Sequence, residues 1–198
     1  MKIIGITGGS GTGKTTALEA ISDLGGVVID CDKVYHELLL SSESMKKALF
    51  ARFPEIETGD AIDRKKLANI VFSNPSALEE LGQITHPFIL EETKRRLKDA
   101  EEQGIALAAI DAAALIESRF SELCDIVVGI LAPEECRLGR IILRDALSRE
   151  EALRRISAQQ DQQFYIDHCD TIIINDKNSM EEFLAYCREY FQKIAKGS

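Results

Sequence analysis

The sequence predicts an α/β protein built on a parallel β-sheet that has helices on both faces. Three observations support this prediction. Five short, nearly all-apolar runs alternate with helical patterns, as expected of strands that are buried on both sides. The first run leads directly into a glycine-rich loop, and a helical pattern follows that loop. The length of 198 residues suits one domain, or one domain that carries a large insertion.

Each predicted element of the sheet-forming part has a local signal. The strands are β-branched and other apolar runs at 3–7, 27–30, 105–110, 126–131 and 171–175. The helices are bounded by capping residues and are predicted over 15–24, 134–145, 149–160 and from Ser179 to the C-terminal region. Gly25-Gly26 is a C-cap signal for the first helix, and Ser148 with Glu151 forms a capping box for the third.

Residues 32 to about 100 are almost entirely helical in pattern. Asp63 is a predicted N-cap, and Pro75 suits the first position of a helix. His86-Pro87 is predicted to interrupt that helix, and a long charged helix is predicted to run on to about Gln103-Gly104. This connection between strands two and three is far longer than one crossover helix needs, so we expect a substrate-binding insertion.

The composition indicates a soluble globular chain, and a local basic segment in this acidic chain suggests a small anionic ligand. Apolar residues make up 45% and the net charge is −9, which argues against broad binding to nucleic acid or membranes. No apolar run approaches the roughly 18 residues of a membrane helix. The five cysteines are scattered without a C-x-x-C pair, which is typical of reduced thiols in the cytoplasm. Oligomeric state has no signal in the sequence.

The glycine-rich loop fits the phosphate-binding pattern G-x-x-x-x-G-K-[ST]. Its residues are Gly8, Gly9, Ser10, Gly11, Thr12, Gly13, Lys14 and Thr15, followed by Thr16. Glycines allow successive backbone N–H groups to turn towards a phosphate, and the following helix adds the positive end of its dipole. Lys14 can reach the outer phosphates of ATP, and the Thr15 hydroxyl can hold Mg²⁺. The sequence therefore predicts a nucleoside triphosphate site.

Three acids follow predicted strands, where ligands bind in parallel sheets. Asp30 and Asp32 follow strand two and would share a face if the strand continued that far, and Asp111 ends strand three. Such acids can orient Mg²⁺ directly or through water, or take the proton of an acceptor hydroxyl. The structural alternatives are an N-cap for Asp32 and a turn residue for Asp111.

A basic segment follows strand four. Residues 137–155 contain six arginines and three acids. Arg137, Arg140 and Arg144 fall on one stripe of a helix, where they could neutralise a transferring phosphoryl group. Alternatively, they form a solvated face paired with neighbouring acids (Glu134, Glu135 and Asp145). With the next helix, this segment is a candidate lid over the triphosphate.

The ordered set of motifs resembles one family, dephospho-CoA kinase. The resemblance covers nearly the whole chain and is carried by residues 4–9, Leu24-Gly25, 28–32, 62–67, Val71-Phe72, His86-Pro87, Asp111 with 115–117, Arg140, Arg144-Asp145 and 155–159. It implies transfer of the γ-phosphoryl group of ATP to the ribose 3′-hydroxyl of dephospho-CoA. It also implies a P-loop NTPase fold similar to nucleoside-monophosphate kinases, with strand order 2-3-1-4-5.

The resemblance also implies roles for individual residues. Asp32 would be the catalytic base, assisted by Lys14 and Arg140, and Arg144 would join the loop in binding the ATP phosphates. Asp30, His86 and Asp111 would contact the acceptor, and Thr15 and Asp111 would hold Mg²⁺. By itself, His86 is more typical of a structural histidine. The implied division is a core of 1–31, 104–136 and 160–198, an acceptor-binding insertion of 32–103 and a lid of 137–159.

Three positions depart from the family pattern. Ala112-Ala113-Ala114 lacks a proline after Asp111, residues 162–165 lack a basic residue, and Ser10 stands where the family often has an apolar residue. Two alternative functions therefore remain. One is a related kinase that acts on another small hydroxylated acceptor, and the other is a nucleotide-binding module without phosphoryl transfer.

Overall fold

The computed structural model of the chain describes residues 1–59, 61–112, 114–177 and 179–196. Within these ranges the strands are β1 (Lys2–Thr7), β2 (Val27–Asp30), β3 (Glu57–Thr58), β4 (Ala61–Ile62), β5 (Leu107–Asp111), β6 (Ile126–Leu131) and β7 (Thr171–Ile174). The helices are α1 (Lys14–Asp23), α2 (Cys31–Ser41), α3 (Glu43–Arg52), α4 (Arg64–Ser73), α5 (Pro75–Glu102), α6 (Glu134–Asp145), α7 (Arg149–Ser157), α8 (Gln162–His168) and α9 (Met180–Ala195).

The chain divides into two compact units. The larger unit is Met1–Ile29 with Asp99–Ser198, and the helical unit is Asp30–Lys98. The predicted division into core, insertion and lid uses different boundaries, and the functions assigned to its parts stay predictions.

β1 is the central strand of a five-stranded sheet. It pairs in parallel with β5 on one side and with β6 on the other, and β6 pairs in parallel with β7. β2 lies at the edge beside β5, so the order is β2-β5-β1-β6-β7. Counted over these five strands, this order is 2-3-1-4-5, which confirms the prediction. Because the carboxyl ends of parallel strands lie at the same end of the sheet, β1 and β5 bring the glycine loop and Asp111 to that end.

The core of the larger unit forms where the sheet packs against α1 and α9. Ile4 and Ile6 of β1 are fully buried there together with Ile21 of α1. The buried residues of α9 recur every fourth position, which gives the helix one apolar face (Phe183, Cys187 and Phe191). Full burial of each aromatic side chain stabilises the fold by about 1.5–3 kcal/mol. This packing fixes the start of α1 beneath the glycine loop.

Two aspartates fix the register of the strands at the other end of the sheet, where β6 and β7 begin. Asp125 precedes β6, and its carboxylate accepts a hydrogen bond from Ile3 N at 2.7 Å while its own N–H donates to Ile3 O at 2.8 Å. Asp170 precedes β7 and makes the same pair of bonds with Val127, at 2.7 and 3.0 Å. A one-residue slip would break both pairs, so they help to hold the strand ends that carry the site in place.

The helical unit has its own core and contains one departure from the predicted helical pattern. Its buried side chains include Met45, Leu49 and Phe53. β3 and β4 form a short antiparallel hairpin inside the region that was predicted to be helical. Gly59 lies in the turn with φ +60°, a conformation that favours glycine. Strands of two residues are too short to produce an alternating pattern, so the sequence could not reveal them.

The predicted interruption at His86-Pro87 is wrong, because α5 is continuous and Pro87 lies inside it. The proline removes one backbone N–H donor, but the helix buries Thr85, Ile89 and Thr93 on one face, and this packing outweighs the loss. α5 has 28 residues and is rich in charge. No helix within the described ranges is both long and apolar enough to cross a bilayer.

The stretch after α6 also differs from the prediction in detail. α7 ends at Ser157 rather than at residue 160, and the helix α8 was not predicted. Asp161 begins α8 as its N-cap by accepting a hydrogen bond from Phe164 N at 2.8 Å. The predicted capping box of α7 is confirmed, with Ser148 accepting from Glu151 N and Glu151 accepting from Ser148 N.

Candidate phosphate-binding site

The loop between β1 and α1 requires glycine for two separate reasons. Gly8 has φ +141°, and a Cβ at this position would lie 2.2 Å from Ile130 O. Gly13, the N-cap of α1, has φ +108°, and a Cβ there would lie 2.5 Å from Asn175 Nδ2. Both positions combine an unusual backbone conformation with a close approach of another element. The glycines therefore allow the loop to pack tightly against β6 and the end of β7.

Side-chain donors hold the carbonyl groups of residues 8–12. Lys14 Nζ donates to Gly8 O at 2.5 Å and to Gly9 O at 3.3 Å. Arg137 Nε donates to Ser10 O at 3.0 Å, and Arg140 Nη1 donates to Gly11 O at 3.1 Å. Asn175 Nδ2 donates to Thr12 O at 2.8 Å.

This pattern of donors determines the direction of the backbone N–H groups. In a planar trans peptide the C=O and N–H bonds point in opposite directions. Arg137, Arg140 and Asn175 bind the carbonyls of residues 10–12, so the amides that follow those carbonyls point away from these three side chains. Convergent backbone N–H groups of this kind form a concave anion site. The contacts of Arg137, Arg140 and Asn175 therefore pre-organise the loop for a phosphate.

Two amides of the loop already have partners: Thr12 N donates to Gly9 O at 3.4 Å, and the polar groups of Ser10 are bonded to Gln159. Ser10 N donates to Gln159 Oε1 at 2.9 Å, and Gln159 Nε2 donates to Ser10 Oγ at 2.7 Å. Arg137 Nη2 donates to the same Gln159 oxygen at 2.9 Å. A phosphate contact by the Ser10 amide would need the first of these bonds to break. Ser10 thus anchors one corner of the loop in this structure.

The N-terminus of α1 is open to an anion. Its first turn contains no acidic residue, and Gly13 offers no side-chain cap for the free amides. Thr15 is exposed on this turn, whereas Thr16 is buried and the Thr12 hydroxyl donates to Gly9 O at 2.9 Å. A phosphate would satisfy the uncapped amides and gain from the helix dipole.

Lys14 and Asp111 interact electrostatically at the edge where β1 and β5 end. Burial lowers the pKa of Lys14, and the positive charges of Arg137 and Arg144 lower it further, whereas Asp111 opposes the shift. Asp111 is the last residue of β5 and lies opposite Ile6 in the β1–β5 register. The charges of Asp111, Arg137 and Arg144 therefore all act on Lys14 beside the loop.

The residues present fit Mg²⁺ rather than a metal held entirely by protein. The available donors are the Thr15 hydroxyl and the Asp111 carboxylate, both oxygens, which Mg²⁺ prefers. The described residues contain no group of three or more His, Cys, Asp or Glu side chains that could hold a metal ion. Mg²⁺ usually keeps several waters and binds through one or two protein oxygens and the phosphates of a substrate.

The three arginines of α6 have different partners. Arg137 is buried and Arg140 donates to the loop, so the alternative interpretation, a solvated face paired with acids, is wrong for these two residues. Arg144 pairs with Asp145 through two bonds of 2.7 and 2.8 Å, and Arg155 donates to the same carboxylate at 2.5 Å. Arg144 thus has the acidic partner that the alternative interpretation named.

In the helical unit, the predicted shared face of Asp30 and Asp32 is not formed. β2 ends at Asp30 and α2 begins at Cys31, because the Asp30 carboxylate caps the helix by accepting from Lys33 N at 2.9 Å. Asp30 is therefore the N-cap, and Asp32 lies in the first turn. Loss of hydration raises the pKa of Asp32, the negative charge of Asp30 raises it further, and His36 lowers it. A raised pKa is typical of a carboxylate that serves as a base.

His86 lies in the middle of α5, not at a helix start. Its ring is half-buried and packs over Gly82, where a Cβ would lie 3.2 Å from His86 Cε1. Burial lowers the pKa of His86, so the neutral ring is favoured. Its predicted contact with an acceptor stays a prediction.

Asn175 was missed by the sequence analysis, which named Arg137 only as one of three arginines on a helix stripe and Gln159 only as part of the segment 155–159. Asn175 directly follows β7, and the rule that ligand sites lie at strand ends could have singled it out. It is 3% exposed, and its side-chain oxygen has no hydrogen-bond partner in the described structure. The contacts of Arg137 and Gln159 with Ser10 have no such signal, because only the folded chain brings these residues to the loop.

Comparisons with known proteins agree with this arrangement. The family model described as dephospho-CoA kinase matches residues 2–181. A dephospho-CoA kinase of Geobacter sulfurreducens is 38% identical over 80% of this chain and 82% of its own length. Another, from Latilactobacillus sakei, is 32% identical over 98% of this chain and 96% of its own length.

A solved structure shows the same similarity in three dimensions. The dephospho-CoA kinase from Campylobacter jejuni superposes with a TM-score of 0.72 at 32% identity, over 100% of this chain and 99% of that one. The phosphate loop, the strand order and the agreement over nearly the full length lead to one conclusion: the chain belongs to the dephospho-CoA kinase family.

Proposed function

We propose that the chain transfers the γ-phosphoryl group of ATP to the ribose 3′-hydroxyl of dephospho-CoA, which yields coenzyme A and ADP. The observation that carries the proposal is the glycine-rich loop of residues 8–13, in which Arg137, Arg140 and Asn175 bind the carbonyls of residues 10–12 and so orient the amides that follow them for an anion. Membership of the dephospho-CoA kinase family supports the choice of acceptor.

The loop and the start of α1 are proposed to bind the phosphates of ATP. The contacts are the amides of Gly8, Gly9, Gly11, Thr12, Gly13, Lys14, Thr15 and Thr16, with Ser10 as an anchor of the loop. When ATP enters, the Lys14 ammonium exchanges its carbonyl partners for phosphate oxygens, which are stronger acceptors. The described bonds of Arg140 use only Nη1, so its other N–H groups are available to the triphosphate. Arg144 would reach the phosphates by leaving Asp145.

Mg²⁺ is proposed to be held by the Thr15 hydroxyl and by Asp111, directly or through water. When bound, the ion neutralises the charge that develops on the phosphate oxygens. Lys14 and Arg140 add positive charge on the same side. Placing these groups before the reaction avoids the cost of reorganising them during it.

Asp32 is the proposed base. As the acceptor oxygen bonds to the γ-phosphorus, the bond from phosphorus to the β–γ bridging oxygen breaks and ADP leaves. The Asp32 carboxylate takes the proton of the hydroxyl. Its raised pKa supports this role, since it brings proton affinity closer to neutral pH. Asp30, His86 and Asp111 are the proposed acceptor contacts.

A cytoplasmic location is part of the proposal. It is supported by free cysteines, of which Cys169 and Cys187 have pKa values raised by burial to about 11 and about 12. Thiols with such pKa values are poor nucleophiles, so they suit a structural role in a reducing compartment.

The experiment is an assay of coenzyme A formation from ATP, Mg²⁺ and dephospho-CoA, with Lys14→Ala as the control. We expect product with the wild-type chain and a loss of at least about a hundredfold in Lys14→Ala. No coenzyme A above that control would overturn the proposal. A thermal-shift panel of other hydroxylated acceptors then identifies a different substrate, because the true acceptor should stabilise the protein most.

A further inference from the structure

Asp145, the last residue of α6, binds two arginines that lie on different helices. Arg144 of α6 donates to both carboxylate oxygens, from Nε to Oδ1 at 2.7 Å and from Nη2 to Oδ2 at 2.8 Å. Arg155 of α7 donates from Nη1 to Oδ2 at 2.5 Å. The Asp145 side chain is 23% exposed, so water screens these bonds less than it screens a pair on the open surface. One carboxylate is thus shared by two guanidinium groups.

The contact with Asp145 turns Arg144 away from the other two arginines of its stripe. Arg137 and Arg140 donate to carbonyls of the glycine-rich loop at 3.0 and 3.1 Å. Consecutive residues point in directions about 100° apart around a helix and do not normally face each other. The Arg144 side chain therefore has to bend round α6 to reach Asp145. Its charge nevertheless lowers the pKa of Lys14, so it remains close enough to the loop to act on it.

The charges of this cluster allow an exchange of partners. The two guanidinium groups each carry a positive charge, and the Asp145 carboxylate neutralises one of them. If Arg144 moved to a phosphate, Asp145 would keep Arg155, so no carboxylate would be left unpaired. Phosphate oxygens are charged acceptors that a guanidinium group binds as it binds a carboxylate. The transfer of Arg144 from Asp145 to a phosphate therefore carries little penalty.

We propose that Asp145 is a positioning residue that competes with the nucleotide for Arg144. It holds Arg144 beside the loop while the site is empty and takes it back when the nucleotide leaves. The inference rests on the proposed function, since it concerns the site that would bind ATP. Because Asp145 must release Arg144 first, the protein binds ATP more weakly than its arginines would allow. The same competition favours the release of ADP.

The test is isothermal titration of Asp145→Asn with ATP and Mg²⁺. Asparagine keeps the shape of the side chain and an oxygen that can accept from Arg155, but it removes the charge that holds Arg144. We expect the dissociation constant for ATP to fall about three- to tenfold. Asp145→Glu keeps the charge, so the constant should not fall. A purely structural role predicts weaker binding instead, and an unchanged or higher constant in Asp145→Asn would overturn the inference.

Two further variants distinguish this competition from a general effect of charge. Glu135 also lies on α6 and accepts from Arg149 of α7 at 2.8 Å. Glu135→Gln removes the same charge from the same pair of helices and should leave ATP affinity within about 1.5-fold of wild type. In an Arg144→Gln background, Asp145→Asn should give no gain in affinity, because the arginine to be released is absent. An equal gain in Glu135→Gln, or a gain that persists without Arg144, would overturn the inference.

Measurements of binding and of turnover separate this inference from the proposed function. A chain that shows the coupling between residues 144 and 145 in ATP binding, but forms no coenzyme A as wild type, would refute the function alone. Coenzyme A formation without that coupling would refute the inference alone. A wild-type chain that does not bind ATP would overturn both.

Discussion

Gln159 bonds both the backbone and the side chain of Ser10. Its Oε1 accepts from Ser10 N at 2.9 Å, and its Nε2 donates to Ser10 Oγ at 2.7 Å. Arg137 completes the cluster by donating to the Ser10 carbonyl and to the same Gln159 oxygen. One corner of the phosphate loop is therefore fixed by a residue that lies just after α7, 149 positions along the chain.

Gln159→Met is expected to weaken ATP binding. The substitution keeps the length of the side chain but removes the three hydrogen bonds that the Gln159 amide makes with Ser10 and Arg137, of about 0.5–1.5 kcal/mol each. The loop would then have to be ordered when ATP binds, and the dissociation constant should rise about three- to tenfold. Isothermal titration with ATP and Mg²⁺ measures this change.

Gln160→Met is the matched control for that experiment. Gln160 is exposed and donates to Glu117 Oε1 at 3.2 Å rather than to a residue of the loop. Its substitution should leave ATP affinity within about twofold of wild type. Equal losses in the two variants would contradict the anchoring role of Gln159.

Asp30→Asn is expected to shift the pH dependence of the reaction. The negative charge of Asp30 raises the pKa of Asp32, so its removal should lower that pKa. Asp32 would then stay deprotonated to a lower pH, and the acid limb of kcat/KM for the acceptor should move to lower pH. Asparagine can still cap α2. An acid limb that stays in place or moves to higher pH would argue against Asp32 as the titrating base.

Ala146→Gly is expected to stabilise the protein. Ala146 ends α6 in the left-handed conformation with φ +53°, which strains a residue with a Cβ. Glycine should raise the free energy of unfolding by about 0.5–1 kcal/mol, measured by urea denaturation. Ala158 ends α7 with φ −80°, so Ala158→Gly should give no gain. A gain of equal size in both variants would show that strain at residue 146 is not the cause.

Elements with a local signal were predictable from the sequence. The apolar runs predicted the five strands of the sheet. The glycines and the lysine that follows them predicted the loop and the start of α1. The caps Asp63, Ser148 and Ser179 were also predictable, because capping depends on a few neighbouring residues.

Features that depend on contacts between distant residues were not predictable. α5 continues through Pro87 because its buried face is held by packing, which outweighs the local penalty. The donors Arg137, Gln159 and Asn175 meet the loop from more than 100 residues away. The structural alternative for Asp32, an N-cap, is wrong, because Asp30 caps α2 and Asp32 lies in its first turn. Ala113, in the segment without the family's proline, lies outside the described residues.

The most direct test of the account is Asp32→Asn, assayed for both turnover and ATP binding. If Asp32 takes the proton of the acceptor, coenzyme A formation should fall by on the order of a hundredfold or more, while the dissociation constant for ATP stays within about twofold. Asp30 supplies the cap of α2, so the fold should be retained. Comparable losses of turnover and ATP affinity, or turnover near the wild-type value, would contradict the assignment of Asp32 as the base.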